Sequence, residues 1–283
     1  MVFAEASCSQ TGWLYALTSA TSFYLLRTLL VPAIFARVWP EWTLKRRNMF
    51  ANHFVSCLHA MTCSILVVGT FFSYPALLSD LQGLHVDAYA MEFARGVLAF
   101  SSGYFIGDCL DMAINRVYAG NFGVWAHHIV TIFCYTSALH NCLLYPYLIF
   151  TLLVELNSIF IHQRKLLLLY FVSVPQMPSF YRTIYKHATT LLLLSFPPTR
   201  IVANFYLTYR LFADRGTWVA PAWTWWVATC GMILVDYYNI VLWGQVKKSV
   251  TRDNRAKAEE GDHKNTKQDK GDWKGQQGSE FLD

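Results

Sequence analysis

The chain has 283 residues, of which 54% are hydrophobic, 16% aromatic and only 14% charged, with a formal net charge of +5. With its positive mean hydropathy, this is too apolar and too poor in charge for an ordinary soluble domain, and it reads as an integral membrane protein. The basic residues sit in short clusters at the ends of apolar runs, such as Lys45-Arg46-Arg47, Arg164-Lys165 and Lys247-Lys248; that is a topology signal, so nucleic acid is not expected as a partner.

A helix needs about 20 apolar residues to cross the hydrocarbon core. Seven segments qualify, over 13–39, 49–74, 88–114, 122–143, 145–162, 187–212 and 218–244. The fold class expected is therefore all-α, a polytopic membrane protein of about seven transmembrane helices. The third, fourth and sixth spans read as interrupted, and Tyr145-Pro146 is so tight a break that spans four and five also read as a kinked pair. The chain divides into an N-terminal transmembrane helix (1–40), a domain of six transmembrane helices (41–245) and a cytosolic tail (246–283). Of the 41 charged residues, 17 lie from Lys247 onward. A segment so polar cannot offset its ordering entropy, which predicts disorder.

Odd-numbered loops are the more basic. Arg37, Lys45, Arg46 and Arg47 mark the first, Arg116 the third, and Arg164, Lys165, Arg182 and Lys186 the fifth; the second carries Asp80 and Asp87 without Lys or Arg, and the fourth is uncharged. The positive-inside rule then puts the N-terminus outside and the C-terminus in the cytosol. The first apolar run lacks a basic leader and a cleavage site, so no cleaved signal peptide is expected. Seven cysteines, without a C-x-x-C, and all but Cys8 inside apolar segments, read as reduced, buried and structural. No metal site is expected.

Ionisable side chains at bilayer depth are costly and mark candidate sites. In the third span Gly103 and Gly107 lie one turn apart, which admits a neighbouring backbone. Asp108 and Asp111 share a face near the cytosolic end; Asp108, the deeper, reads as an orienter or charge partner for another helix. His127 and His128 point about 100° apart, so one can face a cavity while the other bonds a neighbouring helix. An imidazole there is a candidate general base or acyl carrier. Glu155, with Ser158 and His162 on its face, needs a cation, and Arg200 behind Pro197-Pro198 and Arg27 are the available ones. The prolines should kink the sixth span.

Arg46-Arg47-Asn48 before a span bearing Ser56 and His59, then Ser102-Gly103-Tyr104-Phe105 with Asp108 and Asp111, then His127-His128-Ile129-Val130-Thr131, then Leu153 to Phe160, together resemble the TLC domain family, which includes the ceramide synthases. The likeness covers six of the seven spans, implies a TLC-type helical barrel, and is nearest to the small TLC domain-containing proteins. The resemblance implies catalytic candidates His127, His128, Asp108 and Glu155, and a lipid cavity with Asp111, Thr131, Asn157, Ser158 and Arg200. Where ceramide synthases carry a His-Asp pair and a further Asp, this chain has Val154, Glu155 and Ser158, a departure that counts against ceramide synthesis.

What the resemblance implies is a regulator of membrane phospholipid composition and fluidity that limits polyunsaturated acyl chains, phosphatidylethanolamine included. The plasma membrane is its expected place and the endoplasmic reticulum the second, and a regulated membrane protein or channel is its possible partner. The alternative is a membrane-embedded acyltransferase acting on phospholipid or sphingolipid acceptors, for which acyl-CoA is the expected donor. A seven-helix receptor fits the count, but span three lacks a terminal Asp-Arg-Tyr and span seven an Asn-Pro-x-x-Tyr. A carrier with inverted repeats would show matching interrupted halves, and none is evident.

Overall fold

A computed structural model describes residues 2–37, 39–172 and 176–277, with side chains described for 8–37, 39–172 and 176–253. Its elements are helical, with no strand among the described residues. In chain order these are α1 (Val2–Leu25), which runs through a π turn (Leu26–Leu30) into α2 (Val31–Ile34); α3 (Leu44–Ser73); the short α4 (Ala76–Ser79); α5 (Ala88–Asn115); and α6 (Phe122–Asn141). They continue with α7 (Tyr145–Thr151), joined by a 3-10 turn (Leu152–Val154) to α8 (Glu155–Phe171), then α9 (Ser179–Phe196), joined by a π turn (Pro197–Val202) to α10 (Ala203–Ala213), and finally α11 (Ala222–Gln277).

Six helical stretches are long and apolar enough to cross a membrane: Cys8–Ile34, Leu44–Ser73, Ala88–Asn115, Phe122–Asn141, Tyr145–Phe171 and Ala222–Asp253. The α9–α10 rod, where the sequence places the sixth of its seven spans, is not among those six by composition, although at 1.5 Å per residue it is about 50 Å long. The outward faces are apolar, with Ile65, Phe72, Ile129, Leu194 and Ile233 exposed, while Asn52, His59, Ser101, Asp108, Glu155 and Asn157 are buried inside. This inside-out pattern suits a solvent of acyl chains rather than water.

Local chemistry sets the helix ends. Thr43, Asp87 and Asn121 cap α3, α5 and α6, each side chain accepting from the backbone N–H three residues on, which satisfies a donor left open by the first turn. The α6–α7 connection is tight because Cys142 (φ 56°) and Leu144 (φ 63°) both adopt the left-handed region, a strained choice for residues other than glycine. It is a real turn, so spans four and five are separate helices.

Spans three and four, read as interrupted, are continuous: packing and capping hold α5 and α6 together despite their glycines. The interruptions lie elsewhere. One is the sixth span at Pro197-Pro198, as expected; the others are the π turn around Arg27 and the 3-10 turn before Glu155. Both of the latter immediately adjoin or contain an inward-facing charge, where such irregular turns often aim a side chain.

The N-terminal helix packs along α5. A side chain at Gly103 would collide with the backbone of Ala16 and Ala20, and Ser19 Oγ donates to the Phe100 carbonyl at 2.6 Å; small residues at such a crossing let backbones touch. Gly107 meets only the Ala20 carbonyl, at 3.7 Å, ordinary contact. The reading of all seven cysteines as reduced needs correction, because Cys8 and Cys142 form a disulfide that ties α1 to the end of α6. Spacing did not reveal it, since 134 residues separate the two. Cys57, Cys63, Cys109, Cys134 and Cys230 are free thiols.

At the other end, the folded part extends past residue 245. Val246 is buried against Leu192 and Phe196, and the Asp253 carboxylate accepts from Arg164 at 2.9 Å and from Tyr185. Helix α11 runs on into the segment whose composition predicts disorder; its side chains from 254 onward, and residues 278–283, lie outside the described residues.

Candidate functional site

Helices α3, α5, α6, α7–α8, α10 with its preceding π turn, and α11 surround a cavity of about 410 Å³. It runs from Tyr118, Lys165 and Gln245, at the end where the basic loops gather, to Leu144, Trp218 and Trp223 at the opposite end. Its walls are mainly apolar, with polar groups concentrated at two places, the composition of a site for an elongated apolar ligand with a polar head.

One polar wall is built on α3, α5 and α6. His128 Nδ1 lies 2.9 Å from the Val124 carbonyl, and its Nε2 lies 2.8 Å from Asp108 Oδ2. A carbonyl only accepts, so Nδ1 carries a proton. Nε2 then either donates to an ionised Asp108 or accepts from a protonated one, and in both cases one proton is shared between the two side chains. Asn52 Nδ2 donates to Asp108 Oδ1 at 2.6 Å and also reaches Asp111 Oδ2 at 3.1 Å. Asp111 in turn accepts from Asn115 at 2.6 Å and pairs with Arg27 at 3.1 Å. Both ring nitrogens of His128 are therefore committed within the protein. His127 lines the cavity with its ring edge-on to Phe105 and His128, and no hydrogen bond engages its nitrogens among the described residues.

The second polar wall is built on α8, the π turn and α11. Arg200 donates from Nε to Asn157 Oδ1 at 3.0 Å, from Nη1 to Asn239 Oδ1 at 3.3 Å and from Nη2 to Ser158 Oγ at 2.6 Å. Asn239 returns a bond to the Arg200 carbonyl at 3.1 Å, and Asn157 Nδ2 is held by the Leu192 carbonyl and Ser195. The expected Glu155–Arg200 ion pair is not formed as a contact: the guanidinium fork is filled by amides and a hydroxyl. Nor does Arg27 serve, since it faces Asp111. The nearest basic group to Glu155 is His59, whose Nδ1 lies 3.9 Å from Oε2. The His59 ring stacks on Tyr104 with centroids 3.8 Å apart, and Tyr104 donates to Ser56 at 2.9 Å.

Toward the basic end, His53 and His162 share a hydrogen bond between their Nδ1 atoms at 3.0 Å, and the Tyr118 hydroxyl lies 3.1 Å from His53 Nε2. Burial pushes the Tyr118 phenol up, and the nearby Asp108 carboxylate pushes it further, so Tyr118 stays a neutral hydroxyl at physiological pH. Among the described residues, no three His, Cys, Asp or Glu side chains converge as a metal site.

The cavity thus gathers His127, His128, Asp108, Glu155, Thr131, Ser158 and Arg200 from four separate segments. Two residues expected to line it do not. Asp111 faces Arg27 and Asn115 behind α5, and Asn157 faces α9, because a neighbour one helix away satisfies each before the cavity is reached. Sequence reading passed over Asn52, His53, Tyr118 and Lys165 as site residues. A signal for the first was present: Asn48, Asn52, Ser56, His59 and Cys63 recur at three- and four-residue steps, a polar stripe along an apolar helix.

Comparison with protein families matches residues 49–247 to the TLC domain. TLC domain-containing protein 2 of Danio rerio is 26% identical over 211 residues, covering 74% of this chain and 80% of the relative. The mouse protein of that name is 32% identical over 127 residues, 45% of this chain and 39% of its own. TLC domain-containing protein 1 of Gallus gallus is 30% identical over 173 residues, 61% of this chain and 60% of its own. No solved structure matches. With the family match running over all six helical segments that surround the cavity, the chain belongs to the TLC domain family, a multi-pass, lipid-related group of membrane proteins.

Proposed function

We propose that this protein regulates phospholipid composition and fluidity by holding phospholipid acyl chains in its intramembrane cavity, limiting polyunsaturated chains in lipids such as phosphatidylethanolamine. The observation that carries the reading is one cavity of about 410 Å³ at bilayer depth, apolar along its shaft and polar at Asp108–His128 and Arg200. Burying a chain there stabilises the complex by about 0.8 kcal/mol per methylene moved from water, and discrimination among chains comes from shape.

The plasma membrane is the proposed site of action, with the N-terminus outside. The Cys8–Cys142 disulfide supports that orientation, since it lies at the end away from the basic loops, and disulfides persist on the oxidising side. A membrane protein or channel regulated through the altered lipid is the partner this reading proposes. The test is to replace His127 and His128 by Ala and compare phospholipid acyl profiles with wild type and a knockout. Polyunsaturated phosphatidylethanolamine should rise in both; unchanged profiles in the mutant and the knockout would sink the idea.

A specific observation favours a second reading, acyl transfer. His127 offers a nitrogen to the cavity beside an imidazole–carboxylate pair, the arrangement an acid–base site requires. His127 would take the proton of an attacking amine or hydroxyl, while Asp108–His128 holds its neighbour's ring in place. Acyl-CoA, which would supply the activated acyl group, suits the residues present: the shaft fits the chain, and Lys165 at the basic end suits phosphate. Purified protein should then turn over acyl-CoA with lysophospholipid or sphingoid acceptors. A preparation with no turnover on any acceptor leaves the binding reading alone.

A further inference from the structure

A second, smaller hollow of about 290 Å³ lies along the seam between α6 and α11. It has an outward side, where Phe122 is 82% and Tyr237 64% exposed, and an inward side formed by Asn121, His127, Val235, Tyr238 and Gln245, all of which also line the central cavity. His127 therefore lines both hollows, on the seam as well as in the central cavity. The seam is held weakly. Among the described residues it carries no ion pair, and the hydrogen bond across it, Tyr238 Oη donating to Asn121 Oδ1, is long at 3.4 Å. Asn121 Oδ1 already accepts the Val124 N–H as the cap of α6. The Tyr238 ring lies over Gly123, occupying the space a side chain there would take. Further along, the two helices close on each other at Gly231, where an added Cβ would lie 3.1 Å from Val130 and 3.7 Å from the Cys134 thiol.

We propose that the α6–α11 seam is a lateral portal through which one acyl chain of a bilayer phospholipid slides past Tyr238 to His127 and the central cavity. This rests on the lipid-cavity reading above and adds the route and the source of the ligand. The occupant is a bilayer lipid rather than a water-borne acyl donor because the groove opens at the depth of two apolar spans, Phe122–Asn141 and Ala222–Asp253, and its walls hold no charged side chain. Tyr238 suits a gate: its ring plugs an apolar slot, and opening it costs one long hydrogen bond, which the hydroxyl recovers by meeting a headgroup or water.

The natural Cys134 provides the test. In a Cys230→Ser background, Gly231→Cys sets a thiol against Cys134, and mild oxidation stitches the seam shut. The protein is placed in vesicles containing phosphatidylcholine with a photoreactive group at the end of one acyl chain, or in plain vesicles supplied with a photoreactive acyl-CoA, and labelled peptides are mapped. Reduced protein should be labelled by the phospholipid at interior positions such as Thr131 and Met232. Oxidised protein should lose at least tenfold of that interior label, keep label on the outer groove, and regain the interior label on reduction. Tyr238→Ala should raise the rate of interior labelling severalfold.

Undiminished interior labelling in the stitched protein, or entry of acyl-CoA alone, overturns the portal while leaving the lipid cavity intact. Absence of interior label from either probe overturns the cavity reading itself. A Gly231→Cys thiol that fails to pair with Cys134 denies the close seam, and with it the portal.

Discussion

The two polar walls of the cavity solve the same problem in opposite ways. On the α3–α5–α6 side, acidic side chains meet basic ones: Asp108 shares a proton with His128, Asp111 pairs with Arg27, and Asn52 bridges the two acids. On the α8–α11 side, the Arg200 guanidinium rests on two amides and a hydroxyl, and among the described residues no carboxylate touches it. The first wall is complete without a ligand except at His127, whose nitrogens no hydrogen bond engages among the described residues. The second satisfies the hydrogen bonds of its cation while leaving the charge without a contact counter-ion among the described residues, which suits the polar headgroup proposed above. On the proposed lipid-cavity reading, the first wall supports the fold and the second meets the headgroup.

The largest effect that would break this contrast comes from Asp108→Ala. It strands His128 in a buried site and leaves the Asn52 amide with Asp111 alone, and loss of one member of a buried pair costs about 3–5 kcal/mol. Thermal unfolding in detergent should show a fall in Tm of several degrees, with Asp108→Asn losing less. Were Asp108→Ala as stable as wild type, the wall would not be the structural one.

Next in size, Cys8→Ser, or reduction of the Cys8–Cys142 bond, should lower stability by about 2 kcal/mol by releasing α1 from α6. The free-thiol change Cys57→Ser should leave the unfolding curve where it was. A gel-mobility difference between reduced and non-reduced wild type, absent from Cys8→Ser, checks the bond directly.

Arg200→Met should cost about 1–3 kcal/mol, because Asn157, Ser158 and Asn239 each lose a partner. Its sharper consequence is on ligand: phospholipid co-purifying with the protein should fall severalfold. Arg200→Lys keeps the charge but not the fork, so lipid retention should recover in part while stability does not. Equal retention in both variants would assign recognition to the fork instead of the charge.

A smaller structural effect than that of Arg200→Met is expected from His127→Ala, about 1 kcal/mol by thermal unfolding, because the ring loses packing against Phe105 and His128 but makes no hydrogen bond among the described residues. The functional effect on acyl profiles should nevertheless match that of the double histidine variant. A marked loss of stability on removing His127 would put both histidines in the supporting wall.

Much of the fold is legible in the residues alone. Apolar runs of spanning length, interfacial basic clusters and the ordered motif chain from Asn48 through His127-His128 to Ser158 lead to an all-helical polytopic TLC protein. Legibility is weaker for interruptions. Spans three and four read as interrupted but are continuous, while the close approach that Gly103 admits is met by α1; of the true irregularities, the π turn around Arg27 is followed directly by Pro32, and the 3-10 turn beside Glu155 contains no proline or glycine. The site is legible in its residue types and not in its pairings. Glu155 with Arg200 is the obvious match of charges, yet the guanidinium goes to Asn157, Ser158 and Asn239.

The sequence by itself determined which stretches enter the membrane and which rare polar residues go with them, because transfer of side chains into hydrocarbon depends on composition over a window of neighbours. Tertiary structure alone decided that Cys8 reaches Cys142, that His128 is committed to Asp108 while His127 is left to the cavity, and that Asp111 and Asn157 face away from it. Those outcomes depend on how each helix is rotated and on who stands opposite at hydrogen-bonding distance. A rotation of 100° separates consecutive residues on a helix, so adjacent histidines with the same chemistry acquire different roles.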